Sequence, residues 1–407
     1  MAAQAGMLPL SVGRLLAVVG AVVSVLLSIV FVVSSGPSLH VRNSSSEAQR
    51  QQSKTLQVES FDGARVVQRG LFTDDECDNI VQLAEKHSIK VEEKVKVMDG
   101  DGKSQVLDST VRSARKHWLC SHTSGAKGVC HAKPRLAWVL ARIKRALAAA
   151  VATEAWAAEV GSLVGGGGST NENLRRLDAV VLYYESGDHH DWHLDATPRA
   201  SSHPHTRLLT VTVQLDEPDA YVGGALRLGD AMASRGRGDA TIYPSCTPHA
   251  VLPVVNGMRH ALLVNLWVAL PTAAPAMRPF WTALCLPLFP PILDRLREAS
   301  DEHLGSVHLQ HGHFLEQHDL MEAASRQGAS SVPSDAAREQ YRLARVANPS
   351  LATAWHREGV LLAMGGKVEE AIERFEASTG LRPTDERMRA DLQQAREMVG
   401  ESRRQVG

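Results

Sequence analysis

Between Leu177 and Leu270 the chain is built from short β-type runs: Ala179–Tyr184, Leu208–Leu215, Ala225–Leu228, Ala240–Tyr243 and Ala261–Val268. Gly, Pro and Asp turns separate them. No other feature constrains the fold as much, because short strands joined by tight turns pair antiparallel and close into a sandwich or barrel. Helices are expected ahead of this region. Phe72-Thr73-Asp74-Asp75-Glu76-Cys77 sets a Thr or Asp cap before Ile80, Val81, Leu83 and Ala84 at helical spacing. A second helix is predicted from Pro134 to about Val160, which is rich in Ala, Leu, Arg and Lys. Gly165-Gly166-Gly167-Gly168 reads as a flexible loop, since the Lys-Ser or Lys-Thr of a phosphate-binding loop does not follow.

At 407 residues the chain exceeds one such domain. Leu15 to Val33 is a run of 19 residues without a charge, nearly enough to span a hydrocarbon core of about 30 Å. A signal peptide needs an apolar region of only about 7–15 residues, so an uncleaved single-pass anchor is expected, with a cleaved signal as the alternative. Arg14 precedes the span while Arg42, Arg50 and Lys54 follow it, so flanking charge does not set its orientation. Residues 34–60 read as a Ser- and Gln-rich stalk, with Asn43-Ser44-Ser45 a glycosylation triplet. Lys plus Arg (44) balance Asp plus Glu (45), which argues against a nucleic-acid partner. Five cysteines are too few for a disulfide scaffold; Cys120 and Cys130 either close a loop or stay free.

Residues 271–333 are first Pro-rich and then His-rich, with His303, His308, His311, His313 and His318 at no recurring ligand spacing. They read as a linker or a solvated helix face. Beyond them Pro349 and Pro383, Tyr341 and Phe375, and Ala337 and Ala371 are each 34 residues apart. That period matches the tetratricopeptide repeat: one full unit over about 350–383, the second helix of a preceding unit, and a closing helix. So few units cannot stand alone, so this module is expected to lean on the domain before it.

The chemistry concentrates in Tyr184-Glu185-Ser186-Gly187-Asp188-His189-His190-Asp191-Trp192-His193-Leu194-Asp195. His193 and Asp195, two apart, share a face on a strand. Pro248-His249 lies in a turn between two β-type runs. Two imidazoles and one carboxylate make a facial triad, which leaves positions on Fe(II) open for a bidentate co-substrate and O2. Arg259 opens the last run, where Arg259, Ala261, Leu263, Asn265 and Trp267 share one face, taken as the inside. A guanidinium buried there needs a carboxylate, which its planar fork suits. Thr210 and Tyr184 are candidate hydroxyl donors to the same carboxylate.

These residues resemble the 2-oxoglutarate and Fe(II) dependent dioxygenases, in particular the prolyl 4-hydroxylase branch. Leu71 to Asp78 is similar to the family's opening helix and Val111-Arg112-Ser113 to its Arg-Thr-Ser segment. His193, Asp195 and His249 fall on the iron ligands, Tyr184 on a co-substrate tyrosine, and Arg207-Leu208-Leu209-Thr210 on the strand lining the co-substrate. Gly223-Gly224 and Gly238-Asp239-Ala240 also match. Arg259 stands where prolyl 4-hydroxylases usually place lysine, although relatives use arginine. The family register passes over a second His-x-Asp pair, His189 and Asp191, and leaves His203, His205 and His260 as loop or outward residues and Cys246 as a small turn residue.

The resemblance implies an α+β chain: a double-stranded β-helix (jelly-roll) dioxygenase core with flanking helices, an N-terminal transmembrane helix and a C-terminal helical repeat. Its plan is a tail at 1–14, an anchor at 15–33, a stalk at 34–60, the dioxygenase at 61–270, a linker at 271–333 and the repeat at 334–400. The implied chemistry is hydroxylation of peptidyl proline, with Fe(II), 2-oxoglutarate, O2 and L-ascorbate. The implied partners are a proline-rich peptide or protein substrate and a protein docking on the repeat, in the lumen of the endoplasmic reticulum or Golgi. Hydroxylation of lysine, or of proline at another carbon, stays open, as do an inactive anchored adaptor and a zinc hydrolase.

Overall fold

The computed structural model describes residues 58–61, 65–92, 96–98, 105–107, 113–121, 134–153, 177–198, 205–269, 280–325 and 334–406. The apolar run 15–33, Arg112, Cys130, His203 and the Gly165–Gly168 loop lie outside them. Among the described residues no helix is long and apolar enough to cross a membrane.

The strands are β1 (Val58–Phe61), β2 (Arg65–Gln68), β3 (Lys90–Glu92), β4 (Lys96–Met98), β5 (Gln105–Leu107), β6 (Arg115–Cys120), β7 (Leu177–Tyr184) and β8 (His190–His193). They continue with β9 (His205–Gln214), β10 (Tyr221–Gly223), β11 (Leu226–Leu228), β12 (Ala231–Met232), β13 (Ala240–Pro244), β14 (His249–Val251), β15 (Val254–Gly257) and β16 (Arg259–Ala269). An eight-stranded sheet has the order β1-β2-β13-β9-β16-β7-β6-β3, and a four-stranded sheet the order β12-β11-β14-β8. The pairings between neighbouring strands are antiparallel. Pairing with β2 makes Val58–Phe61 the sheet edge, so the folded domain starts inside the stretch read as stalk.

β7 shows how the layers arise. All eight of its residues are buried. Ala179, Val181 and Tyr183 pack with α1 (Asp74–His87) and α2 (Ala137–Thr153), while Val180, Leu182 and Tyr184 pack toward Leu226, Leu228 and Val251 of the smaller sheet. A strand covered on both faces reads as a continuous apolar run. α1 starts where the sequence places it: Thr73 accepts from the Glu76 amide and the Glu76 side chain accepts from the Thr73 amide, a capping box.

The linker expectation for 271–333 does not hold over its described part. Phe280–Cys285 is a π-helical turn and Leu286–Leu288 a 3-10 turn, followed by α3 (Phe289–Glu298) and α4 (Leu304–Ser325). Pro287, Pro290 and Pro291 sit in the first turns of these helical segments, where a missing N–H costs nothing; Pro271, Pro275 and Pro279 lie outside the described residues. Between them Phe280, Trp281, Phe289, Ile292 and Phe314 enter the main core. His308 and His311 are buried too. His311 stacks flat on Phe289, with ring centroids 4.4 Å apart.

After α4 come α5 (Asp335–Ala347), α6 (Ala352–Met364), α7 (Val368–Leu381) and α8 (Glu386–Val406), each packed on the one before it. The 34-residue spacing has a packing basis. A Cβ on Gly312 of α4 would fall 2.7 Å from the Tyr341 ring, and one on Gly359 of α6 would fall 2.8 Å from the Phe375 ring. The same glycine-to-aromatic contact therefore joins α4 to α5 and α6 to α7. The helix preceding the repeat is the His-rich one.

Candidate active site

β8 and β14 are neighbours in the smaller sheet, and His193 of one is the register partner of His249 on the other. Asp195 lies two residues beyond His193, in the bend after the strand rather than on it. These three side chains can present one ligand atom each within 4.8 Å of one another, the one such grouping among the described residues. Each histidine is oriented by its own backbone. His193 Nδ1 lies 2.8 Å from the Asp191 carbonyl, and His249 Nδ1 2.8 Å from the Thr247 carbonyl. A carbonyl only accepts, so both Nδ1 atoms carry the proton and both Nε2 lone pairs are left for a cation.

Asp195 is held from two sides. Arg207 donates to Oδ1 at 2.9 Å and Thr210 to Oδ2 at 2.9 Å. Burial alone would raise its pKa, but the charges beside it (His249 and His193 when protonated, Arg207 throughout) and the Thr210 hydroxyl outweigh burial and hold it well below the usual carboxylate range. It is therefore a carboxylate at neutral pH. The donor set of two neutral imidazoles and one carboxylate fits Fe(II) with positions left open.

A small cavity of about 50 Å³ lies beside the triad. Its walls include Lys116 and Trp118 of β6, Tyr184 of β7, Thr212 of β9, Tyr243 of β13, and Arg259, Leu263 and Asn265 of β16. Arg259 is 1% exposed. Its Nε donates to Gln214 Oε1 at 3.2 Å and its guanidinium lies 5.2 Å over the Tyr184 ring, while Nη1 and Nη2 are buried with no partner among the described residues. A buried charge left in this condition is expensive unless a ligand anion meets it. A small dicarboxylate spanning from the triad to Arg259 satisfies both ends, so the residues present fit 2-oxoglutarate as well as the metal. Gly224, with φ +61°, is needed here because a Cβ would lie 3.2 Å from Arg259 Cδ and 2.8 Å from Val254.

The structure brings His193, Asp195, His249, Arg259 and Tyr184 to one cavity, as the sequence suggests. Thr210 is placed differently. Its hydroxyl donates to Asp195 and pairs with Ser245 Oγ at 2.9 Å, so it supports the triad; Thr212, one pleat further along β9, is the hydroxyl lining the cavity. Trp267 keeps the inner face beside Asn265: its Nε1 donates to buried Asp178 at 2.7 Å, the carboxylate that also accepts from Asn265 Nδ2, and its ring lies under the Arg207 guanidinium. Gln214, Thr212, Tyr243 and His190 were not singled out in the sequence. Alternation along β9 from Thr210 through Thr212 to Gln214 was the available signal. His260 faces outward onto Asp216, with Nδ1 2.9 Å from Oδ1. Ser113 Oγ accepts the His189 amide at 3.1 Å, which pins the approach to β8. Cys246 is more than a turn residue: it is disulfide-bonded to Cys285. Cys120 is disulfide-bonded as well.

With this geometry in hand, residues 179–269 match the model of the 2OG-Fe(II) oxygenase superfamily. A PKHD-type hydroxylase of Janthinobacterium sp. (strain Marseille) is 34% identical over 93 residues, 21% of this chain and 41% of the relative. One from Xylella fastidiosa (strain M12) is 33% identical over 99 residues, 22% and 43% of the two chains. The chain thus spans about two-fifths of the length of the curated relatives it matches. Among solved structures, a viral collagen prolyl hydroxylase from Paramecium Bursaria Chlorella virus-1 has 16% identity and a TM-score of 0.34, covering 51% of this chain and 97% of that one. A Pseudomonas putida prolyl-4-hydroxylase has 15% identity and a TM-score of 0.35, covering 51% and 94%. The matched family is described by its Fe(II) and 2-oxoglutarate, and the matched residues 179–269 include His193, Asp195, His249, Arg259 and Tyr184.

Proposed function

We propose that this chain is an Fe(II)- and 2-oxoglutarate-dependent dioxygenase that hydroxylates peptidyl proline. The observation that carries the reading is Arg259, whose two terminal nitrogens are buried without a partner among the described residues, in the cavity shared with His193, Asp195 and His249. His193 and His249 bind the metal through Nε2, and Asp195 through a carboxylate that Arg207 and Thr210 hold in place. Arg259 binds the far carboxylate of the co-substrate, steadied by Gln214 and by the Tyr184 ring. When bound, Fe(II) and 2-oxoglutarate supply the oxidising chemistry: decarboxylation yields succinate and CO2, and one oxygen atom of O2 enters a substrate C–H bond. L-Ascorbate is the proposed reductant for turnovers that miss the substrate.

Prolyl specificity is supported by the resemblance of the site residues and by the names of the relatives. A lumenal site in the endoplasmic reticulum or Golgi, with residues 15–33 as anchor, is supported by the two disulfide-bonded cysteines Cys246 and Cys285, which persist in an oxidising compartment.

The test is succinate production by the full-length chain with Fe(II), 2-oxoglutarate, ascorbate and proline-rich peptides, beside His193→Ala. Peptide-stimulated succinate that disappears in the variant, with one oxygen gained on proline, is the expected result. Succinate without peptide stimulation would redirect the substrate to lysine or another residue. Iron-loaded protein that makes no succinate would leave an anchored adaptor. Retained zinc with indifference to 2-oxoglutarate would indicate a hydrolase.

A further inference from the structure

The two histidine-bearing strands are short, at four and three residues, and their ladder is irregular between His249 and Val251. Such a pair has few hydrogen bonds with which to hold its own register. Two connections from outside the barrel reach it, and both start in the helices at 280–325.

The first is the disulfide Cys246–Cys285, with Cα atoms 5.8 Å apart. Cys246 lies three residues before His249, in a turn whose other groups orient the triad. Ser245 Oγ pairs with Thr210 Oγ1, which donates to Asp195. The Ser245 carbonyl accepts the Ala196 amide at 2.9 Å, and the Thr247 carbonyl accepts from His249 Nδ1. Restraining Cys246 therefore restrains both Asp195 and His249. The second connection is to β8, the outer strand of its sheet. An outer strand presents backbone carbonyls that need partners from elsewhere. The Trp192 carbonyl, next to His193, accepts from Gln310 Nε2 of α4 at 2.8 Å. The Trp192 ring packs 5.5 Å from His303, and Arg227, which lies over that ring, pairs with Asp301 just before α4.

We infer that residues 280–325 brace the metal site, with Cys246, Cys285 and Gln310 as positioning residues that hold His249 and His193 at ligand separation. The inference rests on the reading of His193, Asp195 and His249 as metal ligands. It also implies that a chain cut at residue 269, where the family match ends, keeps the three ligands but loses the brace that positions them.

The experiment is a Co(II) titration of metal-stripped full-length protein, followed by the visible ligand-field absorption of the bound ion. Outer residues that orient metal ligands cost about 10–100-fold in affinity when lost. The dissociation constant is expected to rise by about that factor in Cys246→Ser/Cys285→Ser, and at least about threefold in Gln310→Met. Far-UV circular dichroism is expected to stay native in both. A disulfide that served stability alone would lower the melting temperature and leave Co(II) affinity unchanged, and that result in folded variants overturns the brace. Should the double variant fail to fold, Gln310→Met keeps the disulfide and decides the question. Wild-type protein that binds no Co(II) overturns the metal reading itself, a result distinct from equal binding by wild type and variants.

Discussion

Arg259 is the residue whose surroundings make least sense without a ligand. Its neighbours satisfy Nε and cover the guanidinium face, yet none of the described residues meets the two terminal nitrogens. Arg259→Met is therefore expected to raise the melting temperature of the ligand-free protein by a few degrees while removing co-substrate binding. A charge-assisted bidentate pair contributes several kcal/mol, so the 2-oxoglutarate requirement should rise roughly 100-fold or more. Co(II) affinity should stay within about threefold, because Arg259 is not among the residues that orient the metal ligands. Thermal shifts with and without 2-oxoglutarate check this: the co-substrate should stabilise the wild type and not the variant. Equal loss of metal and co-substrate binding would remove Arg259 from its assigned role. Composition and spacing identify this arginine as inward; that its fork is open rather than paired depends on Gln214 and Tyr184, which approach from two other strands.

At the scale of elements, α4 was the hardest to read. Its histidines suggest a solvated surface, yet His311 is 8% exposed and stacked on Phe289, and burial pushes its pKa down to about 4. His308, beside Gln340, is lowered as well, again chiefly by burial. The sign of the pH dependence follows from which state takes up the proton first. A histidine whose folded pKa lies below its unfolded value of about 6.5 binds its proton first in the unfolded chain. Stability is then complete above pH 6.5, falls between about pH 6.5 and 4, and levels off below. The loss attributable to His311 is about 3 kcal/mol. His311→Phe keeps the stack and should flatten the slope over that range, as followed by urea midpoints at successive pH values. A slope unchanged in the variant would place the proton uptake elsewhere. In contrast, α1 was legible throughout, because its capping box and apolar positions are local signals that no distant contact overrides.

Across the whole molecule, the helices at 280–325 share the main core with the large sheet instead of forming a linker, while α5–α8 pack in apolar clusters of their own. Phe280, Phe289 and Phe314 belong to the same apolar cluster as β7, β9 and β16. Further along, buried Glu316 of α4 accepts from Tyr341 Oη at 2.6 Å and pairs with Arg357 of α6, tying three helices together. Removing residues 334–406 leaves the triad, Arg259 and the 280–325 brace in place but strips Glu316 of both partners, so thermal stability should fall. If the helical array also holds substrate, the KM for long peptides should rise about tenfold in the truncated chain while short peptides change little. The comparison belongs at a temperature where circular dichroism shows both proteins folded. Matching KM values for both lengths would assign the array to docking of a partner instead.

By itself the sequence determined the antiparallel core and the capped first helix, showed a 34-residue period, and marked out His193, Asp195, His249 and Arg259 as candidates. These were readable because each depends on local alternation, local capping or a spacing within one segment. Only the tertiary structure decided that Thr210 supports Asp195 while Thr212 faces the cavity, and that Cys246 is bonded to Cys285. It also decided that the described part of a proline- and histidine-rich stretch is helix with one face in the core. Each of these outcomes depends on what another part of the chain presents across the contact. A hydroxyl goes to the nearest buried carboxylate, and a histidine is neutral core or charged surface according to what covers it.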